Sequence, residues 1–139
     1  MVEPIKSAWV VSRKRKSLFI MSALYIITGI LHFIHPEFYL RIMPPWIPMH
    51  EELVFISGVC EILFALLLLF PSTQRLAAWC IIGLLIAVFP ANIQMTLNYW
   101  HQHNPGLWIT IVRLPLQVLL ILWAYRFTRA DNRVRTTNQ

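Results

Sequence analysis

Charged side chains are scarce in this chain, because Asp, Glu, Lys and Arg together make up only 13% of its residues. A soluble globular domain usually carries about 25% charged residues. Hydrophobic residues reach 58%, and the mean hydropathy is +0.60. This composition excludes an ordinary soluble domain and predicts an integral membrane protein, with a single domain as the natural count for 139 residues.

Cysteine is nearly absent too, with Cys60 and Cys80 as the two examples. They form no CxxC motif, which excludes the common dithiol and zinc patterns. Helical rise separates them by more than ~10 Å along the membrane normal, too far for a disulfide. His32 and His35 have the i, i+3 spacing, but no acidic third ligand follows at a fixed distance. We therefore expect no metal site, and we expect both cysteines to be packing residues.

The sequence contains four apolar runs, at residues 18–34, 53–70, 76–98 and 107–125. Crossing a bilayer takes roughly 17–25 residues of helix. The last three runs are joined by short connections, so neighbouring spans are expected to be antiparallel. The first run follows a basic stretch, as a signal peptide would, but no small-residue cleavage pattern comes after it. The sequence thus predicts an all-α membrane protein built as a four-helix bundle.

Basic residues are concentrated on one side of this four-span arrangement. Ten of the twelve lie before the first span, between the second and third, or after the fourth. The opposite side carries Arg41 together with three glutamates. The positive-inside bias therefore places the basic segment 1–17 and the basic tail 126–139 in the cytoplasm. Because the net charge of +6 flanks apolar spans, it indicates topology, and no nucleic-acid partner is expected.

The loop 35–52 combines prolines with large apolar side chains. Pro44, Pro45 and Pro48 stiffen it and remove backbone donors. Its aromatic residues favour the membrane surface. Two interpretations remain open: the loop is an interfacial anchor, or it is a lid that folds over an outward-facing cavity.

Two opposite charges lie inside the predicted spans. Counted from the outer boundary, Glu61 lies about 12 Å deep and Arg113 about 9 Å deep. Asn92 and His32 fall in the same outer half. Each charge alone in hydrocarbon costs at least ~2.5–3.5 kcal/mol. We therefore expect a buried ion pair between Glu61 and Arg113, either as part of a functional site or as a purely structural pin between helices.

Small and polar residues recur at helical spacing in every span, which predicts faces that pack closely and hydrogen-bond. The predicted faces are Ser22, Tyr25, Gly29 and His32 in the first span; Ser57, Gly58, Glu61 and Ala65 in the second; Gly83, Ala87 and Ala91 in the third; and Thr110, Arg113, Gln117 and Ala124 in the fourth.

Prolines inside the third and fourth spans create a further need for polar partners. Pro90 cannot donate to the carbonyl of Ile86, and Pro115 cannot donate to that of Ile111. Both carbonyls need other donors in a membrane interior. The donors expected there are ordered water or the side chains of Asn92, Gln94 and Gln117.

Several motifs taken together resemble the DoxX-like family of small bacterial membrane proteins. They are SG-x-x-E in the second span, R-x-A-A-W at the start of the third, the VFPAN break, and R-L-P-x-Q in the fourth. The resemblance covers about residues 29–126 and implies a four-helix bundle in a bacterial inner membrane. Named relatives look like subunits of thiosulfate:quinone oxidoreductase or of membrane oxidoreductase complexes that handle thiol stress. The family pattern falls here on Glu61, Arg75, Pro90, Asn92, Arg113, Pro115 and Gln117.

The polar residues and the resemblance favour a non-catalytic membrane subunit or a binder of a small quinone- or lipid-like ligand. The predicted ligand site consists of Glu61, Arg113, Asn92 and Gln117, with His32 and His35 at its mouth. No flavin, haem or iron–sulfur motif is present, so electron transfer would need a bound quinone or a partner. Two alternatives stay open: a membrane component of a quinone-linked oxidoreductase, and a proton-coupled transporter, for which four spans would need to oligomerise.

Overall fold

The computed structural model describes residues 3–129, with side chains for residues 11–129, and the described chain consists of helices and connections without strands. The helices are α1 (Glu3–Ile34), α2 (Pro36–Arg41), α3 (His50–Leu68), α4 (Gln74–His101) and α5 (Leu107–Thr128). The all-α prediction is confirmed for these residues. Part of the positive charge that predicts the orientation in the membrane belongs to Lys6 and to the tail 130–139. These side chains lie outside the described ones.

Within the described residues, three helices are long and apolar enough to cross a membrane: α1 from Val11 onward, α4 and α5. They match three of the four predicted spans and indicate a multi-pass membrane protein. The second predicted span, 53–70, corresponds to α3 and is not among the three. The difference is charge, because the 19 residues of α3 include Glu51, Glu52 and Glu61, and each carboxylate is costly in hydrocarbon.

The long helices pack in chain order, α1 against α3, α3 against α4, and α4 against α5. α4 and α5 run antiparallel: Asn92 contacts Gln117, and Met95, one turn further along α4, contacts a residue one turn earlier on α5. The turn between α3 and α4 is closed by Thr73, whose Oγ1 donates to the Leu67 carbonyl at 2.7 Å.

The closest helix contact is the crossing of α1 and α3 at two glycines. A Cβ built on Gly29 would lie 2.9 Å from the Gly58 carbonyl oxygen, and a Cβ built on Gly58 would lie 2.7 Å from the Cβ of His32. Such distances leave no room for a side chain, so the two backbones meet directly. The crossing also brings Glu61 beside α1, because a Cβ on Gly29 would lie 3.1 Å from the Cβ of Glu61.

Three of the four predicted helix faces are confirmed by burial. The buried members are Ser22, Tyr25, Gly29 and His32 on α1; Gly58, Glu61 and Ala65 on α3; and Thr110, Gln117 and Ala124 on α5. The predicted α4 face is wrong at Gly83 and Ala87, which are exposed, and nothing lies within 4 Å of a Cβ built on Gly83. Small apolar residues are as stable in lipid as inside protein, so they do not specify which way a helix faces.

The interior of the helix assembly is divided into an apolar end and a polar end. The apolar core is formed by Leu18, Met21, Tyr25, Ala65, Leu68, Ala77, Ala78, Ile81, Ile82, Leu85, Ala124 and Phe127. At this end α5 is also tied to α1, because Trp123 Nε1 donates to Ser17 Oγ at 2.7 Å. The opposite end of the same four helices carries the buried polar side chains of His32, Glu61, Asn92 and Thr110.

Candidate functional site

A cavity of about 80 Å³ lies in the polar end of the assembly; we call it the polar cavity. Its walls are formed by His32, Tyr39, Ile42, Met43, Leu53, Val54, Ser57, Glu61, Val88, Ala91, Asn92 and Arg113. Of the five ionisable or amide side chains, Tyr39 comes from α2, and each of the long helices α1, α3, α4 and α5 contributes one of the other four. Glu61 and Arg113, which were predicted to lie at nearly the same depth in the membrane, therefore line the same cavity.

His32 is the basic side chain nearest to Glu61. Its Nδ1 lies 2.9 Å from the carbonyl oxygen of Thr28 and 3.9 Å from Glu61 Oε2. Because a carbonyl oxygen only accepts, Nδ1 carries the hydrogen in this contact. Glu61 Oε2 is buried and has no hydrogen-bond partner among the described residues. A buried acceptor without a donor costs about 1–3 kcal/mol, and more when it is charged.

The predicted ion pair between Glu61 and Arg113 does not form. No nitrogen of Arg113 lies within 4.0 Å of the Glu61 carboxyl, and Arg113 Nη1 instead donates to Met95 Sδ at 3.7 Å. The long Arg113 side chain follows the neighbouring helix α4 rather than crossing the cavity to α3. The two opposite charges thus face one space from two sides, without direct contact.

One wall of the polar cavity is formed by residues 36–44, which we call the lid segment. The ring of Tyr39 stacks on the ring of His32 with centroids 3.7 Å apart. Burial raises the pKa of the Tyr39 hydroxyl further above its usual range, so this hydroxyl keeps its proton and can donate a hydrogen bond.

Two hydrogen bonds hold the lid segment from outside. His50 Nε2 lies 3.1 Å from the Pro44 carbonyl oxygen, and Asn98 Nδ2 donates to the Arg41 carbonyl at 3.4 Å. Ile42 and Pro44 are buried, whereas Trp46, further along the loop, is 72% exposed. Of the two interpretations of loop 35–52, the lid fits residues 36–44, and the exposed Trp46 suits an interfacial anchor.

Asn92 is held in the cavity wall by an amide network. Its Nδ2 donates to Gln117 Oε1 at 2.5 Å, and Gln117 Nε2 donates in turn to the carbonyl of Leu85. This carbonyl is one residue before that of Ile86, the group that Pro90 leaves without a helical donor. Gln117 therefore bonds to the carbonyl next to the one that Pro90 frees, and the predicted donors for the Ile86 and Ile111 carbonyls stay a prediction. Gln117 itself supports the wall and does not line the cavity.

His35 does not join the site, contrary to the prediction. It is exposed and lies in a separate shallow pocket with Glu37 and Arg41. The i, i+3 spacing from His32 would place both rings together only if α1 continued, but α1 ends at Ile34. The proline at position 36 disfavours helical conformation at His35, whose φ and ψ are −129° and 57°.

Two further buried hydroxyls lie on α1 below the cavity. Tyr25 OH and Ser22 Oγ, like Glu61 Oε2, have no hydrogen-bond partner among the described residues. Their i, i+3 spacing places them on the face of α1 that packs against α3. Between the polar cavity and the apolar core, α1 therefore carries two hydroxyl groups that can both donate and accept hydrogen bonds.

A protein family described as a domain of unknown function, DUF8561, matches residues 21–128. The chain belongs to the DUF8561 family. The matched range contains the whole polar cavity of this DUF8561 protein, since the lining residues extend from His32 to Arg113. No curated protein and no solved structure matches the chain.

Sequence reasoning missed several residues of the site in this DUF8561 protein. Tyr39 was seen only as one aromatic of a loop, and Met95 was not singled out. The sequence did contain a signal for Tyr39. Pro36 and Pro44 lie on either side of it and restrict the backbone of the short connection between two predicted spans. Nothing in the sequence distinguished Met95 from other apolar residues. Among the described residues no three His, Cys, Asp or Glu side chains group as a metal site.

Proposed function

We propose that this DUF8561 protein is a four-helix membrane bundle, similar to the DoxX-like proteins, that binds the polar head of a small ligand in the outer half of the membrane. In this proposal both termini are cytoplasmic and the membrane is a bacterial inner membrane. The chain acts as a non-catalytic binder or as the ligand-binding membrane subunit of a larger complex.

The inclusion of α3 as a fourth span rests on its packing. α3 lies between α1 and α4, two helices with the length and composition of membrane spans. Glu51 and Glu52 occupy its first turn, where they reach the interface. Only Glu61 then remains within the apolar stretch, and it faces the interior. A helix of 19 residues is about 28 Å long, close to the thickness of the hydrocarbon core.

The observation that carries the binding proposal is the unpartnered Glu61 Oε2 in the wall of a cavity that also presents Arg113. A ligand group with both a donor and an acceptor would satisfy the carboxyl on one side and the guanidinium on the other. Asn92 adds an amide between them. A few convergent polar groups within apolar walls are the usual anatomy of a ligand site.

The size of the cavity restricts the ligand. A pocket that encloses a drug-sized molecule has about 300–1,000 Å³, whereas the polar cavity has about 80 Å³. That is room for several water molecules or a small polar head group. A quinone ring would require the lid segment to move outward, and any apolar tail would extend between the helices toward lipid.

The test is native mass spectrometry of the gently solubilised protein, combined with solvent extraction of lipids and quinones from the same sample. We expect a stoichiometric small molecule in the wild type. Hydrogen bonds to charged groups contribute about 1.5–3 kcal/mol, so Arg113→Gln and Glu61→Gln should each lower the affinity for this molecule at least about tenfold.

Matched controls separate the site from general charge effects. Arg126→Gln removes an arginine from the exposed part of α5, and Glu52→Gln removes a glutamate from the exposed start of α3. Both controls should retain the ligand. A folded wild-type protein without any bound molecule, or equal losses in controls and site variants, would reject the binding proposal.

The membrane component of a quinone-linked thiosulfate or thiol oxidoreductase is a second form of this proposal. The Tyr39 ring stacked on His32 beside Arg113 supports it, because the tyrosine hydroxyl and the guanidinium group can donate to quinone carbonyls. Recovery of a quinone together with a co-purifying redox protein would favour this form. Extraction of a lipid or another small molecule alone would argue against it.

A proton-coupled transporter is the other candidate, and one observation favours it. Three buried oxygen atoms without a hydrogen-bond partner among the described residues, Glu61 Oε2, Tyr25 OH and Ser22 Oγ, lead from the polar cavity toward the core, and intramembrane carboxyls often serve proton relays. Proton flux in proteoliposomes should then be abolished by Glu61→Gln and reduced by Tyr25→Phe. Flux equal to that of protein-free liposomes would exclude this function.

A further inference from the structure

Basic side chains from three parts of the chain converge on a second cavity, at the apolar end of the assembly. This basic groove has a volume of about 780 Å³. Lys14 and Arg15 reach it from α1, Arg75 from the start of α4, and Arg129 from the residue after α5. No acidic residue is among the described residues that line it. The guanidinium groups of Arg15, Arg75 and Arg129 face one space, and they repel each other unless an anion joins them.

The rest of the basic groove is largely apolar. Its floor is formed by Val11, Leu18, Phe19, Leu69 and Phe127. Leu18 and Phe127 belong to the apolar core, and Phe19 is 57% exposed. The groove therefore joins a ring of positive charge to an apolar surface that continues outward from the core. A ligand that fits it carries an anionic group next to a hydrocarbon chain.

The placement of these charges is more specific than membrane topology requires. The positive-inside bias needs basic residues on one side of the membrane, at any position around the helices. Within the run at positions 13–16, however, only Lys14 and Arg15 line the groove, while Arg13 and Lys16 do not. Arg129 is also held in place, since its guanidinium lies 5.3 Å from the centre of the Tyr125 ring.

We propose that the basic groove binds an anionic phospholipid of the adjacent leaflet. The guanidinium groups of Arg15, Arg75 and Arg129 bind the phosphate, for which a planar fork of donors is well suited. One acyl chain lies along the apolar floor between α1 and the end of α5. Basic pockets between membrane helices on the cytoplasmic side are suited to such head groups. This inference does not depend on the ligand of the polar cavity.

The test compares two double variants of the full-length chain that lose the same residue types from the same helix. Lys14→Gln/Arg15→Gln changes the groove, and Arg13→Gln/Lys16→Gln leaves it intact. Purified protein in a neutral detergent is titrated with dioleoyl phosphatidylglycerol and, separately, with dioleoyl phosphatidylcholine, and bound lipid is counted by native mass spectrometry. Inorganic phosphate serves as the third probe.

We expect the wild type to bind phosphatidylglycerol more tightly than phosphatidylcholine. The groove variant should lose about thirty-fold in affinity for phosphatidylglycerol and the control variant less than about threefold, given the usual contribution of each basic residue at an anionic membrane surface. Arg75→Gln, from a different helix, should lose about fivefold. It provides the decisive measurement if the groove double variant does not fold.

Three results would overturn the proposal. Equal losses in the two double variants would mean that net charge alone attracts the lipid. Equal binding of the two phospholipids would mean that the groove does not recognise an anion. Inorganic phosphate that displaces phosphatidylglycerol at similar concentration would identify the ligand as a soluble anion rather than a lipid.

Discussion

Gly29 on α1 and Gly58 on α3 meet so closely that a Cβ built on Gly29 would lie 2.9 Å from the Gly58 carbonyl oxygen. His32 follows Gly29 by three residues, and Glu61 follows Gly58 by three residues. In the wall of the polar cavity, His32 Nδ1 lies 3.9 Å from Glu61 Oε2. The glycine crossing therefore fixes the distance between the two side chains that form this part of the site.

The crossing predicts a large effect of a single methyl group. Gly29→Ala and Gly58→Ala should each destabilise the protein by about 1–3 kcal/mol, the usual cost of overpacking. Gly83→Ala is the matched control, because nothing lies within 4 Å of its added Cβ, and it should be neutral or stabilising by up to about 1 kcal/mol. The stability of the three variants is measured by thermal unfolding in detergent, which is monitored by circular dichroism. Equal melting temperatures for Gly58→Ala and Gly83→Ala would contradict the crossing.

The amide network predicts coupling between α4 and α5. Asn92→Leu and Gln117→Leu each break the hydrogen bond that joins the two side chains. A double-mutant cycle should give a coupling of about 0.6 kcal/mol, and at most about 1.7, as for other hydrogen bonds between membrane helices. Gln94→Leu is the control, since among the described residues Gln94 forms its side-chain hydrogen bond with Asn98 on its own helix. A double-mutant cycle that combines Gln94→Leu with Gln117→Leu should show no coupling free energy.

The His32–Tyr39 stack predicts that the lid segment controls access to the cavity. A thiol introduced by Ser57→Cys, with Cys60 and Cys80 changed to Ala, reports access through its labelling by a membrane-impermeant maleimide. Tyr39→Ala should speed this labelling about two- to tenfold, the factor equivalent to a stacking energy of ~0.5–1.5 kcal/mol. Tyr39→Phe keeps the ring and should change little. Trp46→Ala, which removes an exposed aromatic of the same loop, should have no effect; a rate increase there would refute the lid.

The four-span arrangement predicts opposite accessibility at the two ends of α3. Met49 precedes α3, Ser72 follows it, and both are exposed. In the same background without native cysteines, Met49→Cys should be labelled from outside intact cells and Ser72→Cys only after the membrane is permeabilised. Arg13→Cys should behave like Ser72→Cys, and Gln102→Cys like Met49→Cys. Labelling of both ends of α3 from one side would show that α3 does not cross.

Much of the fold was readable from the sequence, because a polar residue in a membrane helix has one stable direction to face. Ser22, Tyr25 and His32 specified the buried face of α1, and Gln117 helped to specify that of α5, since each would be costly in lipid. The same rule could not orient α4 through Gly83 and Ala87, which are stable on either side. The scarcity of charge likewise established the membrane class before any helix was located.

Tertiary structure alone decided which polar side chains meet. The depth count brought Glu61 and Arg113 into one layer, but the path of the flexible arginine side chain toward Met95 depends on how α4 packs beside α5. The position of Tyr39 over His32 depends on a break at His35 and on hydrogen bonds from two other helices. Periodicity along the chain determines which face of a helix is buried. The partners on that face are set by the crossing of helices distant in sequence, and here that crossing requires two glycines in direct contact.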